Sequence, residues 1–239
     1  MSTFSYPNLS AGLAMQIPVA PTYLRARLVL GDQARGLVII ANGDGDRLYD
    51  QTNAYVARRL AEAGFATLTV DLLTPSEAAE DAETSVLRFH QSLLASRLVR
   101  VTQWLRNRPV FAGLEIGYFA SGLCAGAALA AASVVGDVRA VVCRGARVDL
   151  VVPQLHRVRA SVLLLVGERD TAHIAASRAA YWLLPEGTRL DVVPNAGHLL
   201  DDAPALEYVA SEAEHWFGDM LDVSPAALAV IDGMLAGVP

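Results

Sequence analysis

Residues 113–132, GLEIGYFASGLCAGAALAAA, decide how the rest of the chain is read. A short run rich in β-branched and aromatic side chains (Ile116, Tyr118, Phe119) meets a cluster of small residues, and an alanine-rich helical pattern follows at once. That is the signature of a buried strand turning sharply into a helix. Within the joint, Gly122-Leu123-Cys124-Ala125-Gly126 fits small-x-nucleophile-x-small with a thiol at its centre. A reactive residue on such a tight bend tolerates only small side chains two positions either side of it. The following helix points its N-terminus at the bend and favours negative charge there, as a thiolate nucleophile needs.

Working outward, short apolar runs alternate with helical patterns. Tyr23 to Leu30 alternates as a half-exposed edge strand, and Leu37 to Ala41 and Phe65 to Val70 read as strands buried on both faces. Arg139 to Cys143, Ser161 to Val166 and Arg189 to Val193 continue the series. Helical spacing occupies Gln51 to Ala63, Leu87 to Arg106, Ile174 to Leu184 and Leu206 to Phe217, while residues 74–84 read as an acidic surface excursion. The fold expected is α/β: a doubly wound, mostly parallel sheet with helices on both faces. Residues 1–22 read as an extended lead-in, 23–220 as a single domain, and 221–239 as an extension with a short helix over Ala226 to Leu235. The segment from Arg144 to Ala160 is too short for a large lid.

Composition excludes several classes. The 239 residues carry a formal charge of -6 with only 19 Lys and Arg, which argues against nucleic acid as a partner. No apolar run reaches the roughly 18 residues that span a bilayer, and no leader pattern precedes the domain. Two cysteines, Cys124 and Cys143, make no disulfide framework, so a reduced, cytoplasmic setting is expected. If their strand ends are neighbours, a redox pair is a minor alternative.

In a parallel sheet the ligand crevice lies outside the carboxyl ends of the strands. Those ends deliver, in chain order, Asn42-Gly43-Asp44, Asp71, Cys124, Cys143, Asp170 and His198. A nucleophile, a carboxylate and an imidazole are among them, in that order. Cys124 would attack an acyl carbonyl, His198 would take its proton, and Asp170 would hold the ring's tautomer. Backbone N–H groups of Ala125 and of Gly43 or Asp44 would hold the oxyanion. Asp170 alone equally suits a helix cap, and His198 alone a turn residue. Asp44 and Asp46 read as a solvated turn rather than a cation site, and no metal or cofactor is expected. Arg88 and Arg144 suit either surface ion pairs or a substrate carboxylate.

On these residues the chain resembles the α/β-hydrolase superfamily, specifically the dienelactone hydrolase family. The resemblance rests on LVIIANGDG, AEAGFATLTVDLLTP, DAETSVLRF, IGYFASGLCAG, VGERD and NAGHLL, over about residues 24–218. It implies hydrolysis of a small-molecule ester or lactone through Cys124, Asp170 and His198, by a monomer or homodimer. Two departures stand out. Asn42-Gly43 replaces the His-Gly that many relatives carry at the oxyanion loop. Relatives also place the nucleophile about three residues after the phenylalanine, which here falls on Gly122, with Ala120 and Cys124 as its small neighbours. Three registers therefore compete for the bend: Cys124, Gly122 or Ser121. A bend at Gly122 would leave a scaffold without a nucleophile, suited to binding or interaction.

Overall fold

The computed structural model describes residues 12–30, 34–43 and 51–221. Its centre is an eight-stranded sheet: β1 (Leu13–Pro18), β2 (Tyr23–Val29), β3 (Leu37–Asn42), β4 (Ala66–Asp71), β5 (Ile116–Ser121), β6 (Val138–Arg144), β7 (Ser161–Gly167) and β8 (Arg189–Val193). Their order across the sheet is β1-β2-β4-β3-β5-β6-β7-β8. The first two strands run antiparallel to their neighbours and the rest are parallel. The edge lies one strand further out than the alternation of residues 23–30 suggests. Part of the expected lead-in is β1, whose Ile17 is fully buried over the sheet.

Helices cover both faces: α1 (Gln51–Glu62), α2 (Pro75–Thr84), α3 (Gln91–Arg106), α4 (Gly122–Ala132), α5 (Val152–Leu155), α6 (Thr171–Tyr181) and α7 (Ala203–Met220). The period-2 alternation of the strands sorts the core into two layers. Ile39, Tyr118, Val141 and Leu164 pack against α3 and α4, while Ile40, Phe119, Val142 and Leu165 pack against α1 and α7. α4 is buried from Cys124 to Ala132, which explains a helix apolar all round rather than on one stripe. Its small side chains let it sit close to the sheet. On the opposite face Gly117 allows an equally close approach, since a Cβ there would lie 2.5 Å from the ring of Phe217.

The acidic segment expected as a surface excursion is the helix α2. Thr74 caps it in a reciprocal box with Glu77, and Pro75 opens its first turn. Glu77 also takes two 2.6 Å hydrogen bonds from the guanidinium of Arg97, tying α2 to α3. The helix expected from Leu87 begins at Gln91, because a 3₁₀ turn occupies Leu87–Phe89. No helix among the described residues is long and apolar enough to cross a membrane. The turn at Gly31-Asp32 and the helix expected over 226–235 lie outside the described residues.

Candidate active site

The carboxyl ends of the parallel strands open into a pocket of about 430 Å³. Gly43 after β3, Ser121 to Cys124 after β5, Arg144 and Gly145 after β6, and His173 and His198 line it. Arg88, Phe89, Arg147 and Leu199 also line it, the two apolar ones exposed.

Asp170 and His198 meet, although 28 residues separate them. Asp170 Oδ2 stands 2.6 Å from His198 Nδ1. Two loops are stapled together to bring this about. Glu168 N–H donates to the Val193 carbonyl, Arg169 N–H to that of Ala196, and Asn195 N–H to the Glu168 carboxylate. Gly167 makes the crossing possible, because a Cβ there would lie 2.2 Å from the Gly197 carbonyl oxygen. Asp170 also caps α6 by accepting from His173 N–H, so the cap and the imidazole partner are one residue doing both. Burial raises the Asp170 pKa, but hydrogen bonds from His173 and His198 outweigh it and hold the carboxylate below its ordinary range.

The bend falls on Gly122, not on Cys124. Gly122 has φ +55° and is the one residue from 120 to 126 in the left-handed region. A Cβ on it would meet nothing within 4 Å, so the space a nucleophile's side chain would fill is open. Cys124 is two residues further on, within the first turn of α4 and 4% exposed. Its sulfur is packed against Gly43, where an added Cβ would lie 2.5 Å from Sγ. Its role is thus that of the small neighbour of the bend. Ser121 ends β5 with extended backbone angles (φ −125°, ψ 153°) and is likewise not at the bend. The physical reason is steric: a left-handed φ is least strained at glycine, and glycine stands in the register set by the phenylalanine.

That register also changes which N–H the first turn of α4 leaves open beside the bend. Ala125 is the fourth residue of α4, where a helix commits its N–H to the carbonyl of the residue before the helix. Leu123 follows the bend, lines the pocket and belongs to the first turn, whose N–H groups have no partner within the helix. Gly43 lines the pocket as expected, and Asp44 and Asp46 lie outside the described residues. Asn42 is buried in a polar network. It accepts from Asn53 Nδ2 and donates to Asp71, which also receives Arg25. This network anchors the chain just before Gly43.

Arg88 is tied to Asp81 through Nε at 2.6 Å, and Arg144 donates to Thr52 Oγ1 at 3.1 Å. Cys143 is fully buried beneath α4, and burial pushes its thiol above the ordinary range. Arg147 and His173 are among the lining residues that the sequence did not single out. His173 Nδ1 stands 2.6 Å from Asp170 Oδ1, and its ring stacks on that of His198. Asp170-x-x-His173 at the start of a helix was the available signal. Asp170, His173 and His198 bring three potential metal-ligating atoms within 4.8 Å of one another. Both Nδ1 atoms are committed to the carboxylate, however, and Arg88, Arg144 and Arg147 around the same pocket oppose a cation.

Comparison with known proteins gives the family and the fold. The sequence model of the dienelactone hydrolase family matches residues 24–223. A dienelactone hydrolase from Anabaena variabilis ATCC 29413, known from its crystal structure, is 42% identical. It aligns over 88% of this chain and 98% of its own with a TM-score of 0.85. Est1E from Butyrivibrio proteoclasticus shares the fold at 17% identity, covering 87% and 98% of the two chains with a TM-score of 0.71. Two Mycobacterium tuberculosis proteins, from strains CDC 1551 and H37Rv, carry the provisional name of phosphoribosyl transferase. Each is 43% identical over 87% of this chain, which spans 46% of their length.

Proposed function

Since the chain belongs to the dienelactone hydrolase family, we propose that it hydrolyses small carboxylic esters or lactones by direct attack of water, with no covalent intermediate. The observation that carries this reading is the open space at Gly122 in the pocket that His198 lines. A water molecule there takes the place of a nucleophilic side chain. Asp170 accepts the Nδ1 proton of His198, which leaves Nε2 to act as the base. The water loses its proton to His198 as its oxygen bonds to the carbonyl carbon. Asp170 then stabilises the imidazolium. Backbone N–H groups of Leu123, in the first turn of α4, and of Gly43, after β3, receive the developing oxyanion. Donors of this kind lower a barrier by about 3 kcal/mol each.

A pocket of about 430 Å³ suits a small substrate. Arg88, Arg144 and Arg147 can donate to an acidic group, although Asp81 and Asp149 already neutralise the first and last, and the exposed Phe89 and Leu199 favour an apolar portion. The transferase name belongs to proteins about twice as long as this chain and is not carried over to it.

The glycine at the bend also favours a second reading, in which the scaffold binds small acids without turning them over. Hydrolysis of aryl and alkyl esters and of small lactones, followed at a range of pH, separates the two. Turnover above the buffer rate that His198→Gln abolishes supports the hydrolase. Saturable binding of a small acid, with no turnover of any of these compounds, supports the binding scaffold instead.

A further inference from the structure

Asp170 serves two imidazoles. Each of its oxygens has one ring nitrogen at 2.6 Å, Nδ1 of His173 on Oδ1 and Nδ1 of His198 on Oδ2. The rings stack with centroids 4.3 Å apart and planes 28° from parallel. An ionised carboxylate only accepts, so each Nδ1 carries the proton it donates, and each neutral ring keeps a bare Nε2. Both residues line the pocket at Gly122.

One carboxylate beside two rings sets a simple charge rule. A first proton on either Nε2 leaves the grouping neutral overall. A second would place two cations 4.3 Å apart against a single negative charge. Among the described residues, the carboxylate that faces the pair from outside is already paired. Asp149, from the turn at Val148–Val151, acts on His173 but is bonded to Arg147, and Arg144 approaches from β6. The grouping therefore accommodates one added proton, on either ring, and opposes a second.

We infer that His173 is the general acid of this site, working beside His198 as the base; the inference rests on the hydrolase reading. Water gives its proton to His198 Nε2 as its oxygen bonds to the acyl carbon. The bond from that carbon to the alcohol oxygen then breaks, and the leaving oxygen takes the proton from His173 Nε2. Attacking and leaving oxygens share one carbon, so adjacent rings can serve both. The net change moves one proton from His173 to His198, and exchange with water reverses it, since both side chains reach solvent (22% and 38% exposed).

The test uses two esters with the same acyl group, one with a p-nitrophenyl leaving group that departs unprotonated and one with an ethyl leaving group that must be protonated. They are compared in wild type, His173→Asn and His173→Gln, with folding checked by thermal melting. Asparagine retains a donor for Asp170 but offers no acid. The expected result in whichever variant is folded is a loss of kcat about 100-fold larger for the ethyl ester than for the p-nitrophenyl ester, with KM little changed. Equal losses on both, as a structural role would give, or no loss on either, overturn the inference. The same comparison in a Gly122→Ser background separates the two readings. A wild type silent on both esters, beside a serine variant that shows the leaving-group dependence, rejects water attack and upholds the acid role. A serine variant that is also silent overturns the acid role.

Discussion

A Cβ on Gly145 would sit 2.4 Å from the carbonyl oxygen of His198, and Gly145 itself is left-handed at φ +54°. The turn after β6 is thus the floor on which the histidine loop rests. Gly145→Ala is expected to destabilise the protein by about 2 kcal/mol or more, from backbone strain plus the clash. It is also expected to displace His198, so that any esterase activity falls further than the melting temperature alone explains. An alanine variant with unchanged melting and activity would refute the close packing.

Gly122→Ser is expected to install a nucleophile. Nothing lies within 4 Å of the new Cβ, so the cost is backbone strain of about 1 kcal/mol. The variant is expected to be labelled stoichiometrically by a fluorophosphonate, and wild type not at all. Adding His198→Gln should slow the labelling by at least about 100-fold. Mass spectrometry of the intact protein reads each result. Labelling of wild type at Cys124 or Ser121 would restore one of the other registers.

Cys124 is expected to behave as a packing residue. Cys124→Ala should cost about 1–2 kcal/mol and leave turnover within a few-fold of wild type. Iodoacetamide should react slowly with a sulfur that is buried against Gly43. A folded alanine variant with no activity would make the thiol the nucleophile after all.

Two carboxylates, Asp170 and Glu77, contribute to the acid limb of stability with the same sign. Asp170 has a folded pKa held below the ordinary value, so its contribution to stability is fully present above the unfolded carboxylate pKa of about 4. That contribution is lost only as pH falls through the lower folded value. Asp170 therefore stays ionised through mildly acid conditions, and the pH–rate profile is expected to show no loss from its protonation above about pH 5.

Glu77 follows the same sign more strongly. Hydrogen bonds from Arg97 lower it, against the opposing effect of burial, to about 2. Glu77→Gln is expected to cost about 1–2 kcal/mol at neutral pH after screening at this partly exposed site. The gap between wild type and variant should close as pH falls from about 4.5 towards 2. Thermal melts across that window check it; a constant gap would mean that the loss is one of packing.

The architecture was legible where burial leaves a simple pattern. Strands covered on both faces must be continuously apolar, and each ended in turn formers that delivered Asp170 and His198 to one rim. The bend was not legible, because Gly122, Cys124 and Gly126 are all small and either spacing satisfies the steric rule. Only the backbone angle at Gly122 separates them. β1 escaped notice because Pro18 and Pro21 disguise a strand whose buried anchor is Ile17. α2 looked like a solvated acidic loop, although Thr74-x-x-Glu77 already held its capping box. His173 looked like any residue in the first turn of a helix, since its partner across the pocket comes from another loop.

The approach of Phe217 to Gly117 has one further consequence. The last described helix lies directly against the middle strand of the sheet, on the face opposite α4. Truncation ahead of residue 217 would strip that strand of its cover and leave a sticky, collapse-prone plate. The pocket-bearing portion is consequently expected to need α7 in place before it can fold stably.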